Sequence, residues 1–149
     1  MRIYTTFWPK SKILKWLGIR TKKYFFMELD DQATWSMDHT LAKIIVPMLK
    51  QLRETKHGAP FVDDEDVSDE LKSTNALPGK DGDVDSNHFK RWDWILDEMI
   101  WAFEQDAMDD GWKEQYYTEK VDREGIDKHY KRMQNGHRLF GKYYNSLWD

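Results

Sequence analysis

The sequence predicts a mainly α protein: a small bundle of three long helices, with a short β-rich N-terminal arm and a long acidic loop. Three observations predict it. Asn87–Asp106, NHFKRWDWILDEMIWAFEQD, places Phe89, Trp92, Leu96, Met99, Ile100 and Phe103 at i, i+3, i+7, i+10, i+11 and i+14, a continuous apolar stripe at helical period. Met37–Lys56 repeats the pattern with Leu41, Ile44, Ile45, Met48 and Leu52. From Asp122 to Asn145, Ile126, Tyr130, Met133, His137, Phe140 and Tyr144 recur at spacings of three and four, and Leu147 extends the series. Trp94 and Trp101 give helix 87–106 a second apolar line, so it is expected to be central, with neighbours on both sides.

The 149 residues fit one domain, 1–149, whose size hides about 68–70% of its unfolded surface. Residues 1–30 read as a basic arm. Met1–Trp8 and Lys23–Leu29 are aromatic-rich enough for short strands, and Ser11–Gly18 has the length of a short helix closed by Gly18. Residues 1–23 carry seven bases and no acid, so the net charge of −4 leaves −11 on the rest. Such an arm suits nucleic acid, anionic lipid or the acidic body itself.

Helix 37–56 has Ser36 in the N-cap position, Asp38 in its first turn and Pro47 within it, where a kink is expected. Residues 57–86 form the acidic loop, expected to be mobile around the turn-rich LPGKDGD. Asp85 or Ser86 is expected to cap the central helix, and Asp122 the last one.

The chain has no cysteine, which excludes disulfides, thiolate metal sites and a cysteine nucleophile. No apolar run approaches the ~18 residues of a membrane span, and the first twelve residues lack the apolar core of a secretory signal. The expectation is a cytoplasmic protein with no membrane partner. The five histidines show no H-E-x-x-H spacing, and no P-loop, G-x-S-x-G or G-x-G-x-x-G occurs. No basic stripe is long enough to suggest duplex nucleic acid.

Three constellations remain. Asp93 and Asp97 lie four apart on one helical face, with Glu98 beside them. Such carboxylates could hold Mg²⁺ with a substrate phosphate, as in an all-α nucleotide phosphohydrolase, although the paired E-x-x-E and E-x-x-D spacing of those enzymes is missing. The plainer reading pairs the acids with Lys128, Arg132, Arg138 or Lys142, or turns them to water. Asp81–Asn87 begins like a calcium loop, but Ser86 and Trp92 stand where glycine and a bidentate glutamate belong. Lastly, Arg91, Trp92, Trp94, Arg138, Lys142 and Tyr143 interleave cations with rings, a composition suited to a nucleotide-like anion because rings stack on bases and cations meet phosphates. The plainer reading gives Arg91, Arg138 and Lys142 to acids of neighbouring elements.

Three blocks, TWSMDHTLAKIIVPMLKQLRETKHGAPFVDDEDV (34–67), HFKRWDWILDEMIWAFEQ (88–105) and NGHRLFGKYYNSLWD (135–149), resemble a widespread family of small bacteriophage proteins. Relatives tend to have proline where this chain has Ser68, and a longer insertion before the final helix. The resemblance implies phage origin and brings no catalytic residue. With it, the expected function is a non-catalytic accessory binding protein in the host cytoplasm, capturing a nucleotide-like defence signal or blocking a host protein. It needs no cofactor, Mg²⁺ entering only under the phosphohydrolase alternative. A virion or assembly component is the other alternative, and exposed apolar helix faces suit a homo-oligomer.

Overall fold

A computed structural model describes residues 2–6, 24–28, 34–117 and 120–148. The chain divides into two compact units, Met1–Met37 and Asp38–Asp149. In the first, β1 (Arg2–Thr6) pairs antiparallel with β2 (Tyr24–Glu28), Arg2 opposite Glu28 and Thr6 opposite Tyr24. The short helix expected at Ser11–Gly18 lies outside the described residues.

The protein is mainly helical, as its periodicities predict. The helices are α1 (Met37–Thr55), α2 (His88–Ala107) and α3 (Arg123–Lys142). Short 3₁₀ turns at Asp64–Asp66, Asp69–Leu71 and Ser73–Asn75 punctuate the acidic connection. An eight-residue 3₁₀ segment, Asp109–Tyr116, follows α2, and a last turn, Tyr144–Ser146, follows α3.

Ion pairs fix the direction of α1 against α2: Arg53 meets Asp97 while Lys50 meets Glu104, so the two helices run antiparallel. α2 and α3 are antiparallel as well. Trp92 near the start of α2 meets Tyr143 just past α3, and Trp101 meets His129 early in α3. They come into close contact at Gly136, which packs on Ala102 and the Glu98 carbonyl.

α2 supplies the largest share of the core. Trp92, Ile95, Leu96 and Met99 are almost wholly buried, with Leu49 of α1, Leu139 of α3, and Val62 and Val67 of the acidic connection packed around them. The expected stripes need three corrections. On α2, Phe89 is half-exposed because it lies in the first turn, edging His88, and Ile95 takes a core place. α1 is rotated: Ala42, Ile45, Leu49 and Leu52 face inward, while Leu41 and Met48 face out. On α3 the buried line is His129, Met133, Gly136 and Leu139, leaving Tyr130 exposed; the helix ends at Lys142, short of the expected Asn145, and Tyr144 in the turn beyond it is exposed too. The interhelical gap admits a glycine where a stripe of large residues would not fit.

The cap expected at Asp122 forms: its Oδ1 accepts the Gly125 amide at 2.9 Å. α2 starts one residue later than expected, at His88. Its N-cap is Asn87, with no side-chain bond to the helix, in place of the expected Asp85 or Ser86; Asp85 lies just before it, its Oδ1 accepting the Asn87 amide at 2.9 Å and its backbone carbonyl that of His88 at 3.1 Å.

Candidate functional site

The run Asp63-Asp64-Glu65-Asp66 holds two exposed acids, Asp63 and Glu65, a half-buried one, Asp64, and a buried one, Asp66, and the C-terminal end of α3 is built around Asp63, Glu65 and Asp66. Arg138, Lys142 and Tyr143 lie four and one residues apart, so all three project from the same end of the helix. They converge on Asp66, whose side chain is 1% exposed. Arg138 pairs with Asp66 Oδ1 at 2.7 Å and Lys142 Nζ with Oδ2 at 2.6 Å. The Tyr143 hydroxyl donates to Oδ2 at 2.7 Å and accepts the Asp63 amide at 3.1 Å. Lys142 also reaches Asp63 at 2.7 Å and Glu65 at 3.2 Å.

The electrostatics follow from those contacts. Burial works against a charged Asp66, but the bonds from Lys142, Tyr143 and Arg138 outweigh it and hold the carboxyl below its ordinary range. Asp63, then Asp66, push the Lys142 ammonium above the usual lysine value. Burial, seconded by the bond to Asp66, raises the Tyr143 phenol to about 12. All three groups therefore keep their ordinary charge states at neutral pH. Asp63, Glu65 and Asp66 bring carboxylate oxygens within 4.8 Å of one another, the spacing of a cation site, and the Lys142 ammonium stands against all three. No local signal in the sequence joins 63–66 to Lys142, 76 residues away from Asp66; only the fold does.

The other expected ligand contacts lie elsewhere. Arg91 is buried at the start of α2. Its guanidinium donates to Asp85 at 3.0 and 2.5 Å and to the Leu71 carbonyl at 3.1 Å, tying the 69–71 turn to the helix. That fork holds the Asp85 carboxyl below its usual range. Trp92 is a core residue, edge-on to the Tyr143 ring at 5.8 Å, and Trp94 is partly buried against the same cluster. Arg138, Lys142 and Tyr143 are thus together, Trp92 lies behind Tyr143, and Arg91 belongs to a second ion pair.

Asp93, Asp97 and Glu98 divide between two neighbours. Arg53 donates to both Asp97 oxygens, at 3.0 and 3.3 Å, and pairs with Asp93 at 3.2 Å; Lys56 pairs with Asp93 as well. The bond to Asp97 raises the Arg53 pKa. Glu98 points the other way, accepting two bonds from Arg132 at 3.0 and 2.7 Å. Of the partners expected on the last helix, Arg132 is the one that answers; α1 supplies the rest. In the calcium-like stretch, Asp85 is committed to Arg91.

Histidines unremarkable in the sequence occupy informative places. His137 Nε2 lies 2.6 Å from Asp106 Oδ2, and the His39 ring donates to the Asp106 carbonyl at 2.8 Å. His129 is enclosed by Trp101, Trp112 and Tyr116. Among the described residues a shallow hollow is lined by Met108, Asp110, Gly111, Lys113, Glu114 and Tyr117. No helix among them is long and apolar enough to cross a membrane.

No protein-family model, curated protein or solved structure matches this chain. What fold and site define is a helical protein in which the cations and carboxylates suited to ligand chemistry are bonded to one another.

Proposed function

We propose that the protein is a non-catalytic bacteriophage accessory protein that acts in the host cytoplasm by binding a host protein. The observation that carries this reading is the internal use of the candidate polar site. Arg91, Arg138, Lys142 and Tyr143 are bonded to Asp85, Asp63, Glu65 and Asp66, whereas bulky apolar side chains stand in solvent: Phe61 is 84% exposed, Trp148 67% and Met48 64%. Exposed apolar groups supply binding energy without chemistry. Phage origin rests on the three sequence blocks given above.

The test compares wild type with Met48→Lys and Phe61→Asp, each tagged and expressed during infection. A host protein retained by wild type and lost by one variant, with unfolding temperature unchanged, supports the reading. Capture that is equal for all three, or that never rises above an untagged control, overturns it.

Capture of a nucleotide-like signal is the second reading. Its support is the convergence of Arg138, Lys142 and Tyr143 on one carboxylate: these groups can surround an anion, and a ligand phosphate would replace Asp66. Thermal unfolding against nucleotides and cyclic nucleotides, with and without Mg²⁺, separates the readings. Ligand at 100 times its Kd stabilises by about 2.7 kcal/mol, and Arg138→Ala should remove that shift. Ligand consumed in the presence of Mg²⁺ would instead favour the phosphohydrolase alternative through Asp93, Asp97 and Glu98. Recovery in purified particles would favour a virion component, and a sedimentation mass above the monomer would establish a homo-oligomer.

A further inference from the structure

The 3₁₀ segment Asp109–Tyr116 meets α3 at the His129 imidazole, and the Tyr116 carbonyl accepts the amide of Asp122, the α3 cap, at 3.1 Å. Trp112 stacks on His129 at 4.3 Å with an 8° angle between the rings. The Tyr116 hydroxyl lies 3.0 Å from His129 Nδ1. Trp101 of α2 closes another side at 4.8 Å. Gly125 makes room for this arrangement, since a Cβ there would stand 2.7 Å from the Tyr116 ring. His129 is 91% buried, and its Nε2 is enclosed without a hydrogen-bond partner among the described residues.

We propose that Asp109–Tyr116 is a pH-operated strap, latched by neutral His129 and released when that imidazole takes a proton. An imidazolium carries N–H on both nitrogens, so its Nε2–H would be a charged donor enclosed with nothing among the described residues to accept it. The surrounding charges do not rescue it. On α3 the Arg132 guanidinium lies over Trp101 at 3.9 Å and adds a like charge, and Glu98 of α2 is spent on Arg132. On the strap, Lys113 sits 5.5 Å from the Trp112 ring centroid, with Asp110 as its partner. Asp122 is engaged as the cap of α3. Ring faces do attract a cation, by about 0.5–1 kcal/mol at exposed sites and more when desolvated. Here that attraction is outweighed: burial, then Arg132, lowers the His129 pKa below its ordinary value. The closed strap is favoured above the ordinary histidine value, near 6.5, and loses that preference as pH falls through it.

The test is amide exchange by NMR on the whole protein, each rate divided by the intrinsic rate at that pH. The Gly111 and Tyr117 amides, bonded to the Met108 and Glu114 carbonyls, report on the strap; Leu96 and Leu139 report on the helices. Between pH 7.5 and 5.0 strap protection should fall at least tenfold while helix protection persists. His129→Phe should abolish that response, and Tyr116→Phe should raise strap opening at pH 7.5. In wild type the fall in strap protection must begin at about pH 6.5 and level off where the closed state's His129 ring titrates, below that value, which keeps the proposal testable if His129→Phe does not fold. Constant protection, a fall outside that pH interval, the same loss in folded His129→Phe, or loss of strap and helices together would each overturn it.

Discussion

Gly136 lies against Ala102 so closely that a Cβ at 136 would overlap the Ala102 methyl and come within 2.8 Å of the Glu98 carbonyl oxygen. Alanine normally gains about 1 kcal/mol over glycine inside a helix. Overpacking a close helix contact costs about 1–3 kcal/mol, and here one obstacle is backbone, which cannot rotate away. Gly136→Ala should therefore destabilise the protein. Gly141, also in α3, has nothing within 4 Å of its would-be Cβ, so Gly141→Ala should stabilise by up to ~1 kcal/mol. Urea midpoints that move in the same direction for both would contradict this account of the α2–α3 contact.

Tyr143→Phe removes one hydroxyl and two bonds, leaving the Asp63 amide and Asp66 Oδ2 each short of a partner. A loss of about 1–3 kcal/mol is expected. The core ring of Tyr143 remains, so the change should act on the 63–66 turn first. Faster proteolysis of that turn, with helix content by circular dichroism unchanged, is the reading that checks it.

Asp66 also sets part of the acid limit. Its carboxyl is held below the ordinary value of 3.8 in the folded protein. A depressed folded pKa contributes stability that is present above the unfolded pKa and is lost as pH falls through the folded one. Wild type should lose stability steeply below about pH 4. Asp66→Asn should be less stable at pH 7, because Lys142 and Arg138 lose their counter-charge, and should show a shallower acid slope. Parallel slopes for the two proteins would exclude Asp66 as a source.

Arg91→Met strands Asp85 and the Leu71 carbonyl together. Breaking a buried pair from one side costs about 3–5 kcal/mol, and Asp85 is partly solvated, so the lower end applies. Arg53→Met is the contrast. Its partners Asp93 and Asp97 are partly exposed, and a change under ~1 kcal/mol that shrinks further in salt is expected. Thermal unfolding at low and high salt compares the two.

The mainly helical class was legible because helical period is written locally, and α2 shows it best: Trp92, Leu96, Met99 and Ile100 were on its stripe and are buried. Asp122 was legible as a cap for the same reason, since its partner amide is three residues away. Which side of a wide apolar face turns inward was not legible. Leu41 and Leu52 look alike in the sequence of α1, yet one is exposed and the other packs on the core, because the neighbouring helix selects the face. Gly136 and His129 hold core positions that a count of large apolar residues passes over.

The candidate site divides in the same way. The sequence by itself determined the inventory: paired carboxylates on α2, cations and a tyrosine at the end of α3, an acidic run at 63–66, and the absence of cysteine chemistry. Only the tertiary structure decided the pairing, assigning Asp93 and Asp97 to Arg53, Glu98 to Arg132, Asp85 to Arg91, and Asp66 to Arg138, Lys142 and Tyr143. Helical period depends on neighbours three and four residues away, whereas the strength of a charge pair depends on separation and burial in space, and those are set only when distant segments pack.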